Sequence, residues 1–187
     1  QQVSIANETA VSTTSSGTSV SQATAAASSS QNQSKYEANV ASVAGKMDNR
    51  VIAAYQQLGF KLVVDPSVNY SGYFDARSRS ITMKQIDDSV YHELGHFLAF
   101  IAGNVDKTAS FQSIFVAEKA NVTAFNKAYV TQNASEYFAE SVKDYILNNA
   151  SLKNTRPQTY AAVQNALNQI TDAQIAKIQK IYGAFWN

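Results

Sequence analysis

The two histidines of this 187-residue chain, His92 and His96, stand four positions apart in an apolar segment. Asp88 precedes the segment as a capping residue would, and Gly103 follows it as a terminating glycine would. The pattern therefore predicts a helix from residue 88 or 89 to about residue 102. Residues i and i+4 lie on the same face of a helix. Both imidazoles can therefore reach a single metal ion.

Glu93 directly follows the first histidine and completes the sequence His-Glu-Leu-Gly-His. On a helix its carboxylate lies beside the face of the imidazoles, where it can contact a metal-bound water without ligating the metal. Two imidazole ligands, an open coordination position and a general base are what metal-assisted hydrolysis requires. The motif predicts a catalytic Zn²⁺ with His92 and His96 as ligands and Glu93 as general base. The alternatives are a helix that carries two histidines by chance and a degenerate pseudoenzyme.

A third protein ligand must be a carboxylate, because the chain has no cysteine and no further histidine. The downstream candidates are Asp106, Glu118, Glu136, Glu140, Asp144 and Asp172. Glu136 and Glu140 are favoured because they lie one turn apart on a predicted helix. Glu136 could ligate zinc while Glu140 accepts a hydrogen bond from a ligating imidazole. Two other interpretations of Glu136 stay open, a capping box with Asn133 and a solvated acidic stripe with Glu140 and Asp144.

The remaining patterns predict an α+β fold, mostly helical, with a small antiparallel sheet packed on the active-site helix. Apolar residues recur every three or four positions over 36–58 and indicate one helix that ends at Gly59. Short apolar segments bounded by turn residues predict strands at 62–64, 72–75 and 80–84. Later helices are predicted at 108–119, 121–128, 134–148, 157–169 and 172–184.

Residues 1–34 differ from the rest of the chain. They are rich in Ser, Thr, Ala and Gln, carry Glu8 as their only charge and contain no aromatic residue. Such a segment cannot bury enough apolar area to offset the entropy lost on ordering. We expect a disordered linker over 1–34 and one zinc metalloprotease catalytic domain over 35–187.

The formal net charge of +1 provides no basic field for nucleic acid or an anionic membrane. No apolar run approaches the length that spans a bilayer. We expect a monomer that acts on a peptide or protein and binds neither nucleic acid nor membrane. Because the chain begins with Gln1 and not with methionine, we expect that an upstream segment was removed, either a signal peptide or a segment added for expression. The absence of cysteine fits an exported bacterial protein, and we expect the protein to be secreted from a bacterium.

His92-Glu-Leu-Gly-His96, followed by Tyr129 and by Glu136-Tyr-Phe-Ala-Glu140, resembles the catalytic domain of anthrax lethal factor. It is still more similar to the small secreted bacterial Pro-Pro endopeptidases. The resemblance implies a secreted zinc endopeptidase in which His92, His96 and Glu136 bind zinc and Glu93 activates water. It also implies that Tyr129, seven residues before the ligand glutamate, assists the oxyanion.

Two residues depart from the Pro-Pro endopeptidase pattern. Ser135 stands where those enzymes have an acidic residue before the ligand glutamate, and the sole tryptophan is Trp186 rather than a residue of an upstream loop. The resemblance implies proline-rich cleavage sites, and these departures argue against strict cleavage between prolines.

An extended peptide substrate would pair with an exposed edge strand, which we expect around residues 80–84. Ser80 and Thr82 would then contact the substrate, and Tyr73 would line a pocket together with Tyr70 and Phe74. Ordinary strand packing is the alternative for each aromatic residue. The alternative function for the whole chain is a non-catalytic, lethal-factor-like toxin domain that recognises a protein partner.

Overall fold

The computed structural model describes residues 34–186, and it confirms the predicted α+β class. Helices predominate, and four short strands form one sheet. The predicted linker over 1–34 lies outside the described residues except for Ser34. Within the described part of the chain, no helix combines the length and the apolar character that crossing a bilayer requires.

The strands are β1 (Tyr36–Ala38), β2 (Lys61–Val64), β3 (Gly72–Asp75) and β4 (Ser80–Met83), and their order in the sheet is β1-β2-β4-β3. β1 is antiparallel to β2, and β3 is antiparallel to β4. β4 runs parallel to β2, so the sheet is mixed and not wholly antiparallel as predicted.

β4 is an internal strand, so the prediction of an exposed edge at residues 80–84 is wrong. β2 pairs with one side of β4 and β3 with the other. Ile81 and Met83 are fully buried, which explains why the hairpin docks through β4, whereas Tyr73 on β3 is 57% exposed. The backbones of Ser80 and Thr82 are therefore unavailable to a peptide, and the open edge on this side of the sheet is β3.

The helices are α1 (Val40–Val43), α2 (Asn49–Gln57), α3 (Ser89–Ile101), α4 (Ala109–Glu118), α5 (Lys127–Val130), α6 (Ala134–Leu147), α7 (Asn149–Thr155), α8 (Pro157–Asn168) and α9 (Asp172–Tyr182). Short 3₁₀ turns lie at Val105–Lys107, Lys119–Asn121 and Gly183–Phe185. The helix predicted at 121–128 is replaced by a 3₁₀ turn followed by α5, and α7 was not predicted.

The single helix predicted over 36–58 is wrong, because this segment forms β1, α1 and α2. Two capping residues explain the interruption. The Asn39 side chain accepts a hydrogen bond from the Ala41 amide at 2.9 Å, and the Asp48 side chain accepts one from the Arg50 amide at 2.9 Å. Each caps the start of a helix.

α3 lies at the centre of the core, between the sheet and α6. Its first amide, that of Ser89, donates to the Asp87 carboxylate at 2.9 Å, so Asp87 and not the predicted Asp88 provides the side-chain cap. Gly103 terminates the helix with φ of +81°, a conformation that glycine adopts without strain.

Candidate metal centre

The three predicted metal ligands, His92, His96 and Glu136, meet where α3 crosses α6. α3 presents His92 and His96 on one face, as their spacing predicts, and α6 brings Glu136 to them. Glu136 Oε2 lies 3.1 Å from His92 Nε2 and 3.7 Å from His96 Nε2. One ligand atom from each side chain lies within 4.8 Å of the other two.

These separations fit a zinc ion. Zinc lies about 2.1 Å from imidazole nitrogen and carboxylate oxygen, so two of its tetrahedral ligands are about 3.4 Å apart. The observed 3.1 and 3.7 Å lie on either side of that value. Two imidazoles and one carboxylate form a ligand set that leaves a fourth position for water or substrate. Over residues 34–186, this is the one group of three His, Cys, Asp or Glu side chains with such spacing.

Glu140 lies on the other side of the His92 ring. Its Oε2 atom is 2.9 Å from His92 Nδ1, and both side chains are buried. A carboxylate accepts this hydrogen bond only from a protonated Nδ1, so in the neutral ring the lone pair lies on Nε2, where a metal can bind. Lys143 lies behind the pair, with Nζ 3.4 Å from Glu140 Oε1. Glu140 therefore has the geometry predicted for a residue that orients a ligating imidazole.

The two carboxylates attract positive charge to the position of His92. Burial disfavours a charged imidazole, but the hydrogen bonds to Glu136 and Glu140 outweigh it and raise the pKa of His92 to about 9. Burial likewise opposes ionisation of Glu136, yet its contacts with His92 and His96 hold the pKa of Glu136 well below the ordinary value. The cluster thus favours a cation between these groups, either a proton or a metal ion.

Glu93 is buried between α3 and β3, only 6% exposed. This burial raises its pKa, although the imidazoles of His92 and His96 and the backbone N–H of Phe74 act in the opposite direction. A carboxylate with a raised pKa binds a proton more readily than an exposed one. Glu93 is therefore suited to accept a proton beside the candidate metal position.

Tyr129 lies on α5 at the rim of the cluster, 52% exposed, with its ring centroid 6.5 Å from that of His92. Partial burial, together with the negative charge of Glu136, raises the pKa of Tyr129 to about 12. The phenol therefore stays protonated at neutral pH and can donate a hydrogen bond. The role in catalysis that the resemblance implies for Tyr129 stays a prediction.

Three of the other acidic candidates for the third ligand, Asp106, Asp144 and Glu118, have partners elsewhere in the fold. Asp106 accepts a hydrogen bond from the Ser135 hydroxyl, and Asp144 pairs with Arg156. Glu118 accepts hydrogen bonds from the Thr159 amide and hydroxyl at 2.9 and 2.7 Å. Asp172 is the first residue of α9. Of the six candidates, Glu136 alone faces both imidazoles.

The two other interpretations of Glu136 have different outcomes. Asn133 does cap α6, because its side chain accepts a hydrogen bond from the Glu136 amide at 2.9 Å. The Glu136 carboxylate, however, contacts His92 and does not complete a capping box. The solvated acidic stripe is wrong, since Glu140 is buried and Asp144 pairs with Arg156.

The open edge of β3 lies beside Glu93. Lys84 N–H donates to Ser71 C=O at 2.9 Å, and the pairing of β3 with β4 continues from there. Because hydrogen-bonded and non-hydrogen-bonded pairs alternate along antiparallel strands, Gly72 and Phe74 direct their backbone N–H and C=O groups away from β4. An extended peptide could therefore pair with Gly72 and with the C=O of Phe74, because the Phe74 N–H is directed at Glu93.

The aromatic residues of this hairpin divide between two faces of the sheet. Phe74 faces α3, where its ring stacks 6.5 Å from that of His96, so it belongs to the core and does not line a pocket with Tyr73. Tyr73 lies on the opposite face beside Tyr70, with ring centroids 5.8 Å apart. Thr82 pairs with Tyr73 across the strands and shares that face.

Two glycines that sequence reasoning missed shape the site. A Cβ atom at Gly72 would lie 2.6 Å from Glu93 Oε1, and one at Gly95 would lie 2.7 Å from the Ala139 backbone. Glycine within a strand, such as Gly72, often indicates that another group packs closely against the backbone. The sequence alone does not indicate which residue that group belongs to.

Residues 75–166 match the family described as anthrax toxin lethal factor, N- and C-terminal domain. Over this range the chain is similar to lethal factor. The matched residues run from the end of β3 into α8 and include both histidines, Glu93, Tyr129, Glu136 and Glu140. The description joins two domains, so the match supports a lethal-factor-like domain and does not separate a catalytic from a non-catalytic one. No curated protein matches the chain.

Proposed function

We propose that this chain is a zinc-dependent endopeptidase. The observation that carries the proposal is the convergence of His92, His96 and Glu136, with ligand atoms all within 4.8 Å of one another, beside the buried carboxylate of Glu93. A structural zinc site is normally closed by four protein ligands and has no use for a buried base beside it. A catalytic site needs both three ligands and that base.

In this proposal His92, His96 and Glu136 hold the zinc ion, which when bound lowers the pKa of water and polarises a carbonyl group. Glu93 accepts the proton of the attacking water and passes it to the leaving amine. The Tyr129 phenol donates a hydrogen bond to the scissile carbonyl oxygen as negative charge develops there. Glu140 keeps the His92 proton on Nδ1 and so orients the ring.

The substrate is an extended peptide paired with the open edge of β3. The backbone of Gly72 and the C=O of Phe74 offer hydrogen bonds that suit many sequences. Tyr73 and Tyr70, on the outer face of the sheet, can contact alternate side chains of such a peptide. Proline-rich sites are proposed on the resemblance to Pro-Pro endopeptidases. Secretion is proposed because the family that this chain resembles over residues 75–166 is described as a toxin.

The alternative is a non-catalytic, lethal-factor-like domain that binds a protein partner. The family description, which names an N- and a C-terminal domain, leaves room for this. The complete set of two histidines, base and third carboxylate argues against it, because a domain that only binds a partner does not need them.

Cleavage of a diverse peptide library by the zinc-loaded protein, with Glu93→Gln as a matched variant, tests the proposal. We expect cleavage by the native chain, loss of cleavage in Glu93→Gln and unchanged zinc content in that variant. Full activity in Glu93→Gln would refute the general-base assignment. Zinc binding without any cleavage would favour the partner-binding alternative, and the residues that flank each cut would reveal any preference for proline.

A further inference from the structure

Glu93 lies directly against the backbone of Gly72 on the edge strand. The three heavy atoms nearest to a Cβ built at position 72 all belong to Glu93: Oε1 at 2.6 Å, Cγ at 2.7 Å and Cδ at 2.9 Å. Carbon and oxygen atoms that are not bonded do not approach so closely without strain. Any side chain at position 72 would therefore occupy the place of the Glu93 carboxylate.

The need for glycine at this position arises from space and not from backbone conformation. Among the described glycines, only Gly59 and Gly103 have a positive φ. Gly72 has extended β3 backbone, which any residue can adopt, and it lies opposite Met83 of β4 in the sheet. Alanine at position 72 would thus be compatible with the strand itself.

Glu93 has little freedom to move away from such a side chain. It is 6% exposed and is carried by α3, which is held from the other side by the contact between Gly95 and the Ala139 backbone. Its neighbour in sequence, His92, is fixed between Glu136 and Glu140. The helix cannot shift without disturbing the metal centre, so a side chain at position 72 must displace the Glu93 carboxylate or β3.

We propose that Gly72 is a positioning residue for the general base, because its bare backbone is the surface that sets the location of the Glu93 carboxylate. This inference rests on the proposed function. The strand that offers Gly72 and Phe74 to a peptide is then also the strand that places the base. One element fixes the base and the peptide backbone relative to each other.

The variant Gly72→Ala tests the effect on catalysis. The backbone N–H and C=O of position 72 are retained, so we expect zinc affinity close to that of the native chain and a KM that changes much less than kcat. We expect kcat to fall by about 10²-fold, because a displacement of about 1 Å at a reacting group has an effect of that size. Gly45→Ala is the control, since a Cβ at position 45 meets only the Ala41 oxygen, at 3.7 Å.

A double-mutant cycle tests the contact without any substrate. Glu93→Ala removes Cγ, Cδ and Oε1, the three atoms that would clash. We therefore expect Gly72→Ala to lower the Tm of the metal-free native chain by about 3 °C or more and to have little effect in the Glu93→Ala background. Gly45→Ala is expected to change the Tm equally in both backgrounds.

The two experiments distinguish failure of this inference from failure of the proposed function. An equal Tm loss from Gly72→Ala in both backgrounds would overturn the inference, as would a native kcat in Gly72→Ala. A native chain that cleaves no peptide, yet shows the coupling between Gly72 and Glu93, would refute the proposed endopeptidase while supporting the placement of Glu93 by Gly72.

Discussion

Gly95 of α3 meets Ala139 of α6 so closely that a Cβ atom at position 95 would lie 2.7 Å from both the Cα and the backbone oxygen of Ala139. Glu136 and Glu140 stand on either side of Ala139 along α6, and both contact His92. The distance between the two helix axes at this crossing therefore sets the distance between the carboxylates and the imidazole.

Gly95→Ala is expected to separate the helices and weaken the metal centre. The added methyl group meets backbone atoms, which cannot rotate away as a side chain can. We expect the free energy of unfolding to fall by about 1–3 kcal/mol and zinc affinity to fall by about tenfold or more. Urea denaturation of the metal-free chain and competition with a chelator measure these changes. Gly183→Ala, where an added Cβ meets nothing within 4 Å, is the control. Native zinc affinity in Gly95→Ala would contradict the prediction.

Glu140→Gln is expected to lower zinc affinity without removing a ligand. The amide can still contact His92 Nδ1, but it lacks the negative charge that fixes the proton there. Partners of this kind typically change metal affinity by 10- to 100-fold. Isothermal titration with zinc would measure the change, and Glu37→Gln, an exposed residue of the Lys61 ion pair, is the control. If Glu140→Gln binds zinc as tightly as the native chain, Glu140 does not orient His92.

Short-range spacing accounts for the part of the site that the sequence predicted. His92, Glu93 and His96 lie within one helix, so their relative positions follow from helix geometry alone. Glu136 and Glu140 have the same one-turn relationship on α6. Choosing Glu136 over the other carboxylates required the resemblance, because no local rule brings α6 to α3.

Longer-range pairing accounts for what the sequence did not predict. An alternating segment such as 80–84 has the same pattern at an edge and within a sheet, and its parallel pairing with β2 depends on residues about 20 positions away. The helix predicted over 36–58 failed for another reason. Its apolar residues Val40, Val51 and Tyr55 all belong to the buried core, but the caps Asn39 and Asp48 divide the segment.

Tyr129→Phe is expected to reduce turnover and to leave zinc binding unchanged. The ring stays, and only the hydroxyl that would donate to the developing oxyanion is lost. Loss of one such donor lowers kcat by about 10²–10³-fold in other hydrolases. Steady-state kinetics on a cleaved peptide would measure it, with Tyr36→Phe, a similarly exposed tyrosine on β1, as the control. A rise in KM with native kcat would make Tyr129 a substrate-contact residue instead.

Asp87→Ala is expected to destabilise the chain by about 1 kcal/mol at neutral pH, and Asp88→Ala by less, because the Ser89 amide donates to Asp87. Burial opposes ionisation of Asp87, but hydrogen bonds from Ser89 and Gln85 hold its pKa below the ordinary value. A carboxylate whose pKa is lower in the folded state stabilises that state above its unfolded pKa of about 3.9 and loses this contribution as pH falls through the folded pKa.

The difference in unfolding free energy between the native chain and Asp87→Ala should therefore shrink below about pH 3.9. Urea denaturation of the metal-free proteins across pH 7 to pH 3 measures it, and a constant difference would show that the cap acts without its charge.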